Sequence, residues 1–128
     1  MRVDARATAL LQETKVMVLA TVRPDGRPHA VPIWFVWHDG RLFFATDADT
    51  VKVRNVAERP EVAAVIERGG QEGASHAVII QGTATRLAPE DMPPGALLAF
   101  RTKYAWDPAG RAGSAALFAV TPRSLRAW

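Results

Sequence analysis

The chain has 128 residues, 48% hydrophobic and 23% charged, the balance of one ordinary globular domain with a single core. It contains no cysteine, which excludes a disulfide scaffold, a zinc–thiolate site, an iron–sulfur cluster and a cysteine nucleophile. Sixteen basic against thirteen acidic residues leave a net charge of +3, but the basic residues are scattered without a run or a recognition-helix pattern, so no nucleic-acid partner is expected.

Asp4 and Arg6 interrupt the N-terminal stretch, which does not read as a signal peptide. Residues 4–14 can form a short amphipathic helix with Ala7, Leu10 and Leu11 on one side. Residues 16–22 read as a strand, followed by a Pro24-Asp25-Gly26 turn. Residues 28–38 read as one long strand. His29, Val31, Ile33, Phe35 and Trp37 fall on one face, and Ala30, Pro32, Trp34, Val36 and His38 on the other. Both faces are mostly apolar, so both are expected to be covered. The longest apolar run, residues 30–37, is too short to span a membrane and contains Pro32; a cytoplasmic protein with no membrane partner is expected.

Asp39-Gly40 marks a hairpin turn into a third strand at 41–46. A helix is predicted over 50–59, opened by Thr50 as N-cap and stopped by Pro60. Strands follow at 61–68 and 76–87, joined by a polar loop containing Gly69, Gly70 and Gly73. That loop leads into a strand rather than a helix, so it reads as a hairpin and not as a dinucleotide fingerprint. Gly82, inside the long strand, predicts a bulge or a close approach. Pro93-Pro94-Gly95 breaks any helix begun at Pro89; a further helix is expected over 96–104, then a loop, a last clear strand at 115–121 and a short edge at 124–128.

About six strands joined by tight turns imply a mainly β, antiparallel, closed or partly closed barrel spanning residues 1–128 as one domain. Pro32 removes a ladder donor, so it belongs at an edge, a bulge or a split between sheets.

Protein-borne chemistry has little support. Gly-x-Ser-x-Gly is absent, no pair of carboxylates stands out, and His29, His38 and His76 lack metal-ligand spacing. If the protein is an enzyme, a cofactor carries the reaction. The distinctive feature is Lys52 and Arg54 in the first turns of the 50–59 helix. The start of a helix already carries partial positive charge and bare amides that attract anions. Two readings stay open: cations converging on a phosphate, or solvated bases paired with Asp47, Asp49 or Glu58. Lys occurs only at 15, 52 and 103 in a chain rich in Arg, which makes a lysine at this place notable. Aromatic area is concentrated in Trp34, Phe35, Trp37, Phe43 and Phe44; core packing accounts for most of it, and a wall for a planar cofactor is the other use.

The runs LATVRPDGRPHAVPIWF, LFFATDADTVKVRN and HAVIIQGTATRL, with Lys103-Tyr104, Val120-Thr121-Pro122 and Trp128 behind them, resemble the pyridoxamine 5'-phosphate oxidase-like FMN-binding split β-barrel superfamily. The chain is most similar to its short flavin/deazaflavin oxidoreductases. The resemblance implies a homodimer of split barrels with cofactor sites at the subunit interface. It implies FMN or coenzyme F(420), a deazaflavin, as the bound cofactor; coenzyme F(420) is the favoured expectation and FMN the alternative. It places the phosphate at Lys52 and Arg54, with Asn55 beside them, and the ring against Val31, Pro32, Ile33 and Trp34. Thr46 would line the path between ring and phosphate, and Gln81 would reach the ring or the polyol chain. The expected activity is hydride transfer between the cofactor and a small electron-poor acceptor such as a quinone, enone or bilin. The alternative is a non-catalytic flavin or deazaflavin carrier or sensor. The sequence stops at Trp128, short of the C-terminal tail of pyridoxamine phosphate oxidases, so vitamin B6 oxidation is not expected. Met92-Pro93-Pro94-Gly95 interrupts a region that is helical in relatives and borders the substrate side.

Overall fold

A computed structural model of the chain describes residues 3–69, 76–110 and 115–128. Most of the Gly69–Ser75 loop and the stretch 111–114 lie outside them, so the hairpin reading of that loop is not addressed.

The chain opens with α1 (Ala5–Glu13), capped by Asp4, whose carboxylate accepts from the Ala7 amide at 2.8 Å; Ala7, Leu10 and Leu11 are buried as their spacing requires. There follow β1 (Met17–Val22), β2 (Pro28–Ile33), β3 (Val36–His38), β4 (Arg41–Asp47), α2 (Val51–Glu58), β5 (Glu61–Arg68), β6 (His76–Leu87), α3 (Pro94–Tyr104) and β7 (Ala115–Ala127), with single 3-10 turns at Pro89–Asp91 and Pro108–Gly110. Seven strands form one sheet in the order β2-β1-β5-β6-β7-β4-β3, every pairing antiparallel. This is the curled sheet of a split barrel, as the sequence led us to expect.

The expected long strand 28–38 is two strands. The chain leaves β2 at Ile33, crosses through Trp34 and Phe35, and enters β3 at the opposite end of the sheet. Pro32 sits on an edge strand paired only with Val18, where its missing N–H costs no ladder bond. The expectation that both faces of this stretch are covered fails for β2, whose residues alternate between half-buried and exposed. An edge strand on an open sheet has nothing of its own chain to cover it.

The last strand differs in the opposite sense. Residues 115–121 and the expected separate edge at 124–128 form one strand, β7, which lies between β6 and β4 and pairs with β6 almost to its end. The bulge at Gly82 makes this continuity possible: the register shifts between Gln81 and Gly82, opposite Pro122, which has no N–H to pair. A Cβ on Gly82 would overlap the Thr121 carbonyl, so only glycine permits the two backbones to approach here.

Two cores flank the sheet. Inside the curl, Leu11, Met17, Leu19, Phe35, Leu42, Phe44, Ile66, Ile80 and Phe118 pack with Val53 and Val56 of α2. Outside it, α3 covers β3, β4 and β7 through Ala96 and Phe100 against Val36, Phe43 and Leu117. Pro94 begins α3 and does not break it, because proline is tolerated in the first turn. The next residue, Gly95, lets the helix start approach the His38 ring, which a Cβ would overlap.

Candidate functional site

Thr50 occupies the N-cap position of α2, but its hydroxyl does not cap the helix; it donates to the Asp47 carbonyl at 3.0 Å. The first helical bond is from the Arg54 amide to the Thr50 carbonyl, at 3.3 Å. Thr50 gives the helix no side-chain cap, and the first turn has no acidic residue. Such an end attracts an anion through its N–H dipoles. Lys52 stands in it, partly buried, and burial pushes its ammonium pKa below the ordinary lysine value, against the opposing pull of Asp47. An anion at this end would reverse that penalty.

Arg54 is exposed and pairs with Asp49 at 3.1 Å, where the Asp49 side chain is fully in solvent. The solvated-pair reading therefore holds for Arg54 in this structure, but such a pair is weak and exchangeable. Asn55 faces inward. It is 2% exposed and its amide donates to Thr21 Oγ1 at 3.0 Å, a buried tie between α2 and β1. Thr46 lies half-buried near the end of β4, opposite Ala116, just ahead of the turn into α2.

The strand-two residues divide by face. Val31 pairs with buried Leu19, and Ile33 packs on the inner core. Pro32 is exposed on the outer face and Trp34 is 46% exposed. Trp34 is not core: one face of its ring stacks on Tyr104, with centroids 4.4 Å apart and planes 6° apart, and Trp106 meets it edge-on at 6.0 Å. Gln81 is exposed on β6 beside Ala63 and accepts from Ser124 Oγ at 3.3 Å. It borders a shallow cleft with Thr21, Pro28 and Arg123. Lys52, Arg54 and Asn55 thus lie on α2 with Thr46 on the strand before it, while Pro32 on β2 and Gln81 on β6 have two strands between them and Trp34 lies in the crossover after β2. The Asn55–Thr21 bond and the Thr21–His29 pairing tie α2 to β2 through β1. Among the described residues, His29 Nδ1 in this junction is buried without a hydrogen-bond partner.

Sequence reasoning did not anticipate the clamp on the crossover. Tyr104 Oη accepts from the Phe35 amide at 3.1 Å and lies in donor range of the Phe35 and Lys15 carbonyls, at 2.8 and 2.7 Å. Lys103 Nζ donates to the Phe35 and Leu11 carbonyls, both at 3.1 Å, and sits 3.8 Å from the centre of the Phe35 ring. Burial, aided by the charge of Lys15, lowers the Lys103 pKa to about 8; burial raises that of Tyr104 to about 12. The sequence signal for this clamp is the scarcity of lysine, since Lys103 is one of only three in the chain.

Comparison with known proteins adds the family. The model described as pyridoxamine 5'-phosphate oxidase matches residues 3–128. The chain belongs to the pyridoxamine 5'-phosphate oxidase family. Within it, the chain is 38% identical over 82 residues to a pyridoxine/pyridoxamine 5'-phosphate oxidase from Rubrobacter xylanophilus, a match that covers 63% of this chain. It spans only 36–38% of the length of the curated oxidases it matches. Among solved structures, an F(420) reductase superposes with a TM-score of 0.76 at 24% identity, covering 97% of this chain and 98% of its own. The heme storage protein HutZ from Vibrio cholerae superposes with a TM-score of 0.79 at 20% identity, covering 98% and 94%. These two likenesses show the fold. No helix among the described residues is long and apolar enough to cross a membrane.

Proposed function

We propose that the protein is an oxidoreductase that uses coenzyme F(420), with FMN as the competing cofactor, to pass hydride to or from a small electron-poor acceptor such as a quinone, enone or bilin. The observation that carries this reading is the start of α2, where Thr50 gives no side-chain cap, the first turn holds no carboxylate and Lys52 stands half-buried, an arrangement suited to an anion. The open face of Trp34 fits the other end of the same cofactor, because one side of the ring is supported by Tyr104 and the other is available for stacking. In this reading Lys52, Arg54 and the α2 amides hold the phosphate. Asn55 fixes the helix to β1, Thr46 borders the approach, and the 31–34 segment and Gln81 border the ring. A bound deazaflavin or flavin supplies the hydride chemistry; the protein's own residues bind, orient and exclude water.

The working unit is a homodimer. Across the outer face of the sheet the register aligns Pro32, Val18, Val65 and Ile79 in one row and Ala30, Ala20, Ala63 and Gln81 in the next. Val18 and Val65 remain 42% and 37% exposed. An apolar surface crossing four strands is costly to leave in water, and a second copy laid on it would cover β2 and complete the site beside Trp34. A non-catalytic carrier or sensor is the second reading, favoured by the likeness to a heme storage protein.

The test is direct. Purified protein exposed separately to FMN and coenzyme F(420) is freed of excess ligand, and the absorbance spectrum and mass of what it releases identify the cofactor. Steady-state turnover of the reduced complex against quinones, enones and bilins then separates enzyme from carrier. Failure to retain either cofactor would overturn both readings.

A further inference from the structure

A sizeable cleft lies away from the cofactor residues. It is a groove of about 690 Å³ between α1, β3 and α3. One wall is apolar, formed by Trp37 and Ala99 with Leu98 at the rim, where that leucine is 60% exposed. At the same groove stand Lys15 and Lys103, two of the three lysines in the chain. They are close enough for the charge of Lys15 to disfavour the ammonium of Lys103. The acidic side chain lining the groove, Glu13, is engaged in an ion pair with Arg68. Lys103 uses two of its three protons on the Leu11 and Phe35 carbonyls, which leaves one donor beside the groove. His38 contributes a ring on the α3 side, packed against Gly95.

Two mutually repelling ammonium groups beside an apolar trough form an incomplete arrangement: the charge calls for an anion and the trough for an apolar body attached to it. We propose that this groove binds an amphipathic organic anion, with Lys15 and Lys103 taking its carboxylate and Trp37, Leu98 and Ala99 taking its apolar part. The site is separate from the phosphate end of α2. It backs onto the Trp34 platform, since Lys103 and Tyr104 grip the same Phe35 carbonyl from α3.

The probe is decanoate, titrated by calorimetry into cofactor-free protein below its micellar range, with decanol as the uncharged control. One decanoate per chain is expected, bound about tenfold more tightly than decanol, because a charge-assisted contact is worth about that factor. Lys15→Glu and Leu98→Asp, both at exposed positions, should each lose about tenfold in decanoate affinity while circular dichroism and thermal midpoint hold. Equal binding of decanol, or decanoate binding indifferent to both substitutions, overturns the proposal. So does competitive displacement of decanoate by FMN, which would make the groove part of the cofactor site. Because the titration needs no cofactor, a negative result here leaves the cofactor reading standing, and failure to retain a cofactor leaves this one standing.

Discussion

Trp34 and Tyr104 lie face to face, 4.4 Å apart and 6° from parallel, although 70 positions separate them and Trp34 remains 46% exposed. The stack is held from behind. The Tyr104 hydroxyl is anchored on the backbone of Phe35, the residue next to Trp34, and on the Lys15 carbonyl. Ring and crossover are therefore fixed by one side chain. Tyr104→Phe should keep the stack and lose the anchor, at a cost of about 1–3 kcal/mol from the orphaned Phe35 amide and Lys15 carbonyl. Tyr104→Leu should lose both and also change the near-UV circular dichroism attributable to Trp34, identified against Trp34→Phe. Equal near-UV spectra in Tyr104→Leu and the parent would refute the stacked arrangement.

Lys103 and Tyr104 make stability depend on alkaline pH in two opposed ways. Between about 8 and 10.5 the unfolded chain holds the Lys103 proton that the folded chain has released, so stability rises with pH across that window. Between 10 and about 12 the folded chain keeps the Tyr104 proton that the unfolded chain releases, so stability falls as pH passes 10. After allowance for solvent screening, the lysine contribution is about 1–2 kcal/mol. Urea unfolding at pH 7, 9, 10 and 11 should show the rise and the turn, and Lys103→Met should flatten the rise. Tyr104 is the only tyrosine in the sequence, so tyrosinate absorbance of the folded protein reads it directly and should show its midpoint near 12.

At the start of α2 the two cations are unequal. Lys52 is partly buried in the first turn, whereas Arg54 is exposed and shared with Asp49. Lys52→Ala should weaken cofactor binding by about 1.5–3 kcal/mol, and Arg54→Ala by less. The double variant should remain folded. Cofactor affinity unchanged in the double variant would remove the phosphate assignment.

Gly82 and Gly95 both admit close neighbours, but of different kinds. The neighbour of Gly82 is backbone in the adjoining strand, which cannot move without breaking the ladder. Gly82→Ala should cost about 1–3 kcal/mol or more in chemical denaturation. The neighbour of Gly95 is the His38 side chain, which can rotate. Gly95→Ala should cost less, and His38→Ala should abolish that cost, since alanine is the better helix former in an unobstructed turn.

Local chemistry along the chain determined a great deal. The apolar spacing of α1, the Asp39-Gly40 turn with both residues at positive φ, the span of β5 and β6 and the bulge at Gly82 follow from near neighbours and were legible in the sequence. The helix itself and Lys52 in its first turn were legible too, since both are local facts. What tertiary structure decided depends on residues far apart. Residues 28–38 carry an unbroken strand pattern, yet the chain leaves one sheet edge at Ile33 and joins the other at Val36, because Tyr104 and Lys103 seize the backbone between them. Periodicity reports which side chains are apolar; it does not report which strand lies next to them. The resemblance grouped Val31, Pro32, Ile33 and Trp34 beside one ring, and in the structure Val31 and Ile33 turn toward the core while Pro32 and Trp34 stay outside, the split that the alternation of the strand implies. The sequence showed three scarce lysines, and only the packing of α1 and α3 around β3 brought two of them to one groove.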